Sequence, residues 1–98
     1  MLFTISGKHM DVPDAVKSYA QNKTGKLPRY YNRINHIEVV LGDSKNGDVS
    51  IEIIARAEHG KIFVVKEIGG NAYKAIDVAV RKLEGQLRRI KGREHDDK

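Results

Sequence analysis

Apolar residues recur along this chain with two different periods, and the change of period divides it into elements. Near the amino terminus, Leu2-Phe3-Thr4-Ile5-Ser6-Gly7 alternates loosely and stops at a glycine, which predicts a short strand. Asp11 then reads as a helix N-cap, with Pro13 and Asp14 in the first turn. Behind it Val12, Val16, Tyr19, Ala20, Leu27 and Tyr30 keep a helical spacing that Lys23 interrupts. Gly25 and Pro28 weaken the end of this helix, and Pro28 should kink or terminate it because proline lacks the backbone donor.

A period of two follows. Ile37, Val39 and Leu41 alternate with Glu38 and Val40, and the run ends at Gly42-Asp43. Ser44 to Asp48 holds Asn46-Gly47, a hairpin signal because both residues tolerate positive φ. Val49, Ile51, Ile53 and Ala55 then share one face, with Ser50, Glu52 and Arg56 on the other. His59-Gly60 marks a second turn, and Ile62 to Ile68 a third antiparallel strand whose alternation is blurred by Phe63-Val64-Val65. Gly69-Gly70-Asn71 breaks the sheet and caps a long last helix. Its stripe is Ala72, Ile76, Ala79, Val80, Leu83, Leu87 and Ile90, and Gly92 is expected to end it.

The order β-α-β-β-β-α predicts an α+β two-layer sandwich resembling double-stranded-RNA-binding domains. One four-stranded sheet should carry both helices on one face, so that each single apolar stripe meets the apolar side of the strands. The opening β-α-β unit should cross over right-handed. Residues 1–93 are expected to form one domain, with 94–98 as a polar tail.

Composition narrows the function. The 98 residues include no cysteine, which excludes disulfides, thiolate metal sites and a cysteine nucleophile. Neither a signal peptide nor an apolar run of the roughly 20 residues a membrane span needs is seen. A soluble, cytoplasmic protein with no membrane partner is expected.

The net charge is +5, and its placement says more than its total. Residues 11–33 and 71–93 together hold twelve lysines and arginines against four acidic residues, a net of +8. Residues 34–70 hold four against six, a net of −2. With both helices on one side of the sheet, their outward faces would form one basic surface suited to closely spaced RNA phosphates. Solvated helix exteriors are also often basic, but simple solubility does not require this split. Tyr19 and Tyr73 are assigned to the edge of the core ahead of base stacking, while Tyr30 and Tyr31 stay open between the two.

Catalytic chemistry finds little footing. His9, His36, His59 and His95 are scattered without metal-ligand spacing, and no serine stands beside a histidine base. Gly69-Gly70 lacks the Gly-Lys-Ser/Thr of a phosphate loop and reads as a turn. Asp77 and Glu84 read as ion-pair partners of Lys74, Arg81 and Arg88 at helical spacing. No enzyme activity, cofactor, metal or small-molecule substrate is expected.

Two segments carry a resemblance. Lys23-Thr-Gly-Lys26-Leu27-Pro-Arg-Tyr30-Tyr31-Asn-Arg33-Ile34 resembles the first-helix signature of the ribosome hibernation promoting factor family, which includes ribosome-associated inhibitors and sigma-54 modulation proteins. Ala72-Tyr73-Lys74-Ala75-Ile76-Asp77, followed by Lys82-Leu83-Glu84-Gly85-Gln86-Leu87 and a basic end, resembles its second. Both stand in register, so the resemblance spans nearly the whole chain. It implies the same β-α-β-β-β-α fold, and binding to the small ribosomal subunit and its rRNA in the mRNA/tRNA channel. It further implies inhibition of translation under stress or in stationary phase. As rRNA contacts it implies Lys23, Lys26, Lys82, Arg88, Arg89 and Lys91; charge geometry adds Arg29, Arg33, Lys74, Arg81 and Arg93. Gly70-Asn71-Ala72 departs from the acidic residue common before the second signature. The chain also lacks the linker and dimerisation domain of long-form members, so it reads as a short form or an excised amino-terminal domain, with a ribosome-dimerising partner protein left open. Two rival readings remain: a protein-interaction module such as a sigma-factor modulator, and a generic double-stranded RNA binder.

Overall fold

Alternation decides the sheet. In the computed structural model, which describes residues 1–96, the order is β1 (Leu2–Gly7), α1 (Asp14–Thr24), β2 (Ile34–Asp43), β3 (Val49–Ala57), β4 (Ile62–Gly69) and α2 (Ala72–Asp96). The strands lie in the order β1-β2-β3-β4. β1 runs parallel to β2, with Leu2 opposite His36, and the other two pairings are antiparallel. Register puts Val39 beside Ile53 and Ile53 beside Val65, so β2, β3 and β4 each offer an alternating set of residues to one shared face.

That face is the core. Ile37, Val39, Leu41, Ile51, Ile53 and Ala55 are buried beneath Ile76, Ala79, Val80, Leu83 and Leu87 of α2 and Val16 and Ala20 of α1. Burying a leucine or isoleucine side chain contributes about 1.5–3 kcal/mol, so these contacts supply most of the drive for the two layers to meet. Among the described residues no helix covers the opposite sheet face. The expected α+β sandwich, with both helices on one side, is the observed fold.

Both hairpin turns have the backbone that strand twist requires. Asn46 and Gly47 have φ of 63° and 78°, and His59 and Gly60 repeat the geometry at 63° and 74°. At the end of β1, Gly7 is needed for a different reason. A Cβ there would stand 2.2 Å from the Met10 carbonyl oxygen, so the loop toward α1 can fold back only over a glycine.

Three boundary expectations need correction. Asp11 does not cap α1; Pro13 holds the cap position in extended backbone, and no side chain bonds to the free N–H groups there. Asp14 does enter the first turn, where its charge faces the positive end of the helix dipole. The first stripe is not one helix. α1 stops at Thr24, and Leu27–Arg29 forms a separate 3-10 turn with Pro28 near its start, where a missing donor costs nothing. Last, Gly92 does not end α2, which runs through it to Asp96. Gly92 has no positive φ, and an interior glycine costs only about 1 kcal/mol against alanine, too little to stop a helix already propagating. Residues 94–96 of the expected tail are therefore helical, while Asp97 and Lys98 lie outside the described residues.

Candidate nucleic-acid interface

The helix layer positions its cations through its apolar side. Ile76, Val80, Leu83 and Leu87 fix α2 on the sheet, which turns Lys74, Arg81, Arg88, Arg89 and Lys91 outward. Val16, Ala20 and Thr24 do the same for α1 and leave Lys23 half-buried and Lys26 exposed. Thr24 is fully buried because its hydroxyl donates to the Ala20 carbonyl at 2.8 Å, which removes the cost of an unpaired polar group. Asn71 caps α2 as expected: its Oδ1 accepts the Lys74 N–H at 2.9 Å.

Between the helices lies a cleft of about 270 Å³, lined by Lys23, Lys26, Asp77, Val80, Arg81 and Glu84. Cations from two elements far apart in sequence therefore face one space, with Val80 as its apolar floor. The cleft is held together by aromatic contacts. The Tyr19 hydroxyl donates to Asp77 Oδ1 at 2.7 Å, and the Tyr19 ring meets Tyr73 edge-on at 5.0 Å. Lys23 Nζ sits 5.4 Å above the Tyr19 ring. Further along, the Arg88 guanidinium lies 4.9 Å from the Tyr30 ring centre, a cation–π contact tying the 3-10 turn to α2. The carboxylate beside it, above all as hydrogen-bond acceptor, raises the Tyr19 hydroxyl above the ordinary tyrosine value of 10.0.

The structure sorts the expected contact residues into groups. Lys23, Lys26 and Arg81 converge on the cleft. Arg88 lies at its far end on Tyr30, while Arg29 and Arg33 are exposed at the 3-10 turn and just after it. Lys82 points to the other flank of α2, where its Nζ meets Glu67 Oε2 of β4 at 2.6 Å. Lys74 is exposed near the start of α2. Arg89, Lys91 and Arg93 are exposed beyond the last fully buried position, Leu87.

Two side-chain expectations change, for the ion pairs and for Tyr73, and the open reading of Tyr31 closes. Among the described residues no ion pair joins Asp77 or Glu84 to Lys74, Arg81 or Arg88; Asp77 is taken by Tyr19 instead. Tyr31 is only 3% exposed and belongs to the core with Phe63 against its ring, so it offers no face for stacking. Tyr73, by contrast, is 40% exposed rather than tucked into the core edge. No cross-helix pairing such as Tyr19 with Asp77 has a signal in spacing, because it depends on how two helices are placed on the sheet. Among the described residues no group of three or more metal-ligating side chains comes together, and no helix is long and apolar enough to cross a membrane.

A helix layer over a four-stranded sheet is an arrangement that known proteins share. Residues 3–95 match the sequence profile of the family described as Sigma 54 modulation protein / S30EA ribosomal protein. The chain belongs to this family. Among its relatives, the ribosome hibernation promoting factor of Salmonella typhimurium is 33% identical over 93% of this chain and 94% of its own length. That of Acidithiobacillus ferridurans is also 33% identical, over 79% of this chain and all of the other. The crystal structure of the Thermus thermophilus Protein Y amino-terminal domain superposes with a TM-score of 0.76 and 31% identity, covering 90% of this chain and 94% of that one. A ribosomal subunit interface protein from Coxiella burnetii shares the fold at a TM-score of 0.85 with 18% identity, over 94% and 99% of the two chains.

Proposed function

We propose that the chain is a ribosome hibernation factor that binds the small ribosomal subunit in its mRNA/tRNA channel and inhibits translation under stress or in stationary phase. The observation that supports this most directly is the convergence of Lys23, Lys26 and Arg81 on one interhelical cleft, in a chain whose relatives are named for ribosome hibernation. The contacts are phosphate contacts. They fix position and orientation without reading bases, so selectivity comes from the fit of the folded body to a preformed groove. Occlusion then needs no chemistry: the domain fills space that mRNA and tRNA would use. In this reading the partners are the small subunit and its rRNA, in the cytoplasm.

Co-sedimentation with vacant small subunits across a salt series, with competing duplex RNA present, tests the proposal. Neutralising 6–10 phosphates predicts a loss of roughly 10³–10⁵ in affinity between about 50 and 200 mM salt. Binding that is salt-sensitive yet resists the competitor is the expected result. Binding erased equally by any duplex would replace the proposal with a generic RNA binder.

One observation favours a second reading. Ile62, Val64 and Ile68 of β4 are 58%, 47% and 53% exposed on the sheet face that has no helix. An apolar strand face at a sheet edge suits a protein partner, as in a sigma-factor modulator. Under that reading binding survives RNase, and Glu52→Lys matters more than any helix lysine.

A further inference from the structure

Asp77 stands in the wall of the basic cleft, one helical turn before Arg81 and opposite Lys23. A free carboxylate at that place has two natural partners. It can pair with Arg81 at i,i+4 spacing, or with Lys23 across the cleft. Either pairing would cancel a positive charge that an approaching RNA phosphate needs.

Neither pairing is found among the described residues. Tyr19 lies between the groups. Its hydroxyl donates to Asp77 Oδ1 at 2.7 Å, and its ring carries Lys23 Nζ at 5.4 Å. The edge-on contact with Tyr73 at 5.0 Å fixes the plane of the ring, and so the direction of both interactions. One neutral side chain thus holds the cation on its face and the anion at its tip.

We propose that Tyr19 is a positioning residue for phosphate binding in this cleft: by engaging Asp77 through its hydroxyl it keeps Lys23 and Arg81 available to an RNA phosphodiester. The inference rests on the reading that the helix face binds RNA, and it assigns a job to a residue that carries no charge. It also explains why an acidic residue is tolerated in a basic cleft. The tyrosine satisfies the carboxylate with a neutral donor, so no lysine or arginine is spent on it.

The test uses the full chain and vacant small ribosomal subunits, with Tyr19→Phe, Asp77→Asn and the double variant. Phenylalanine keeps the ring beneath Lys23 and removes only the hydroxyl. Tyr19→Phe should weaken binding roughly three- to tenfold and flatten the salt dependence by about one phosphate contact, because Asp77 then pairs with a cleft cation. Asp77→Asn alone should bind as well as the unmodified chain or better. The double variant should recover, since the carboxylate that captures the cation is gone.

A merely structural tyrosine would not give that recovery. If the double variant is as weak as Tyr19→Phe, or if Tyr19→Phe binds normally, the inference is overturned. Failure of the unmodified chain to bind would remove the RNA reading itself and this inference with it, a result distinct from normal binding by an insensitive Tyr19→Phe. Thermal unfolding of each variant confirms that equal amounts of folded protein are compared.

Discussion

Lys82 of α2 and Glu67 of β4 form an ion pair, Nζ to Oε2, at 2.6 Å. The pair ties the helix to the sheet edge and occupies a lysine that the family resemblance implies for rRNA. Glu67→Gln should therefore release Lys82. Lys82 is well solvated, with the two side chains 56% and 21% exposed, so stability should change by only about 0–1 kcal/mol. Affinity for small subunits should rise, and the salt slope should steepen by up to about 0.9 if Lys82 then reaches a phosphate. An unchanged slope in the same co-sedimentation series would place Lys82 outside the interface.

Charge reversal separates binding from folding. Lys26 and Arg89 are exposed on the two arms of the helix layer, and neither has a carboxylate partner among the described residues. Lys26→Glu combined with Arg89→Glu should lower affinity for small subunits by at least about tenfold at low salt while leaving the urea midpoint nearly in place. Lys82→Glu is a poorer choice, since it would set two carboxylates against each other at Glu67.

Leu83 is fully buried where α2 crosses the sheet. Leu83→Ala should cost about 2–5 kcal/mol, read as a lower urea midpoint at an unchanged m-value. Binding by the fraction still folded should be unaffected, because Leu83 has no place in the cleft.

Gly92 offers a direct check on the end of α2. Nothing lies within 4 Å of a Cβ built there, and its backbone is not left-handed. Gly92→Ala should stabilise the last turns by up to about 1 kcal/mol and raise helicity by circular dichroism. Loss of helicity would mean that the glycine terminates the helix after all.

Tyr19 titrates above the usual tyrosine value because it bonds to Asp77. A tyrosine raised in the folded state contributes stability below its unfolded value of about 10, and loses it as pH climbs through the higher folded value. The stability advantage of the unmodified chain over Tyr19→Phe should thus shrink as pH rises past about 10, and tyrosine absorbance should show one late-titrating ring that the variant lacks.

Much of this architecture could be read from periodicity. Ile51, Ile53 and Ala55 point inward because strands alternate, and Asn46-Gly47 turns because both tolerate positive φ; each effect is local. The stripe from Ile76 to Leu87 is equally local. Local signals mislead where two of them compete or where tertiary placement decides. Asp11 is a good cap residue, but α1 begins only at Asp14, so that Pro13 takes the cap position. Gly92 has the composition of a stop, yet in right-handed backbone it leaves the helix to run on to Asp96. The cations of the cleft were legible as charge on two helices. Their neutral organiser was not, because nothing in the spacing of Tyr19 and Asp77, 58 residues apart, says that their helices will meet there.

The topology also bears on how binding competence arises. β2, β3 and β4 form a meander joined by two tight turns, whose ladders close short loops. β1 joins only by pairing Leu2 with His36 and its neighbours, a far longer closure that must enclose α1 as the crossover. Long closures are slow because their entropy is lost before contacts compensate it. The hairpins should therefore form early and the parallel strand dock late, bringing α1 against α2 in the same step. A chain halted before that step would have its sheet and its last helix but no cleft, so folding to completion and readiness to hold RNA become one event.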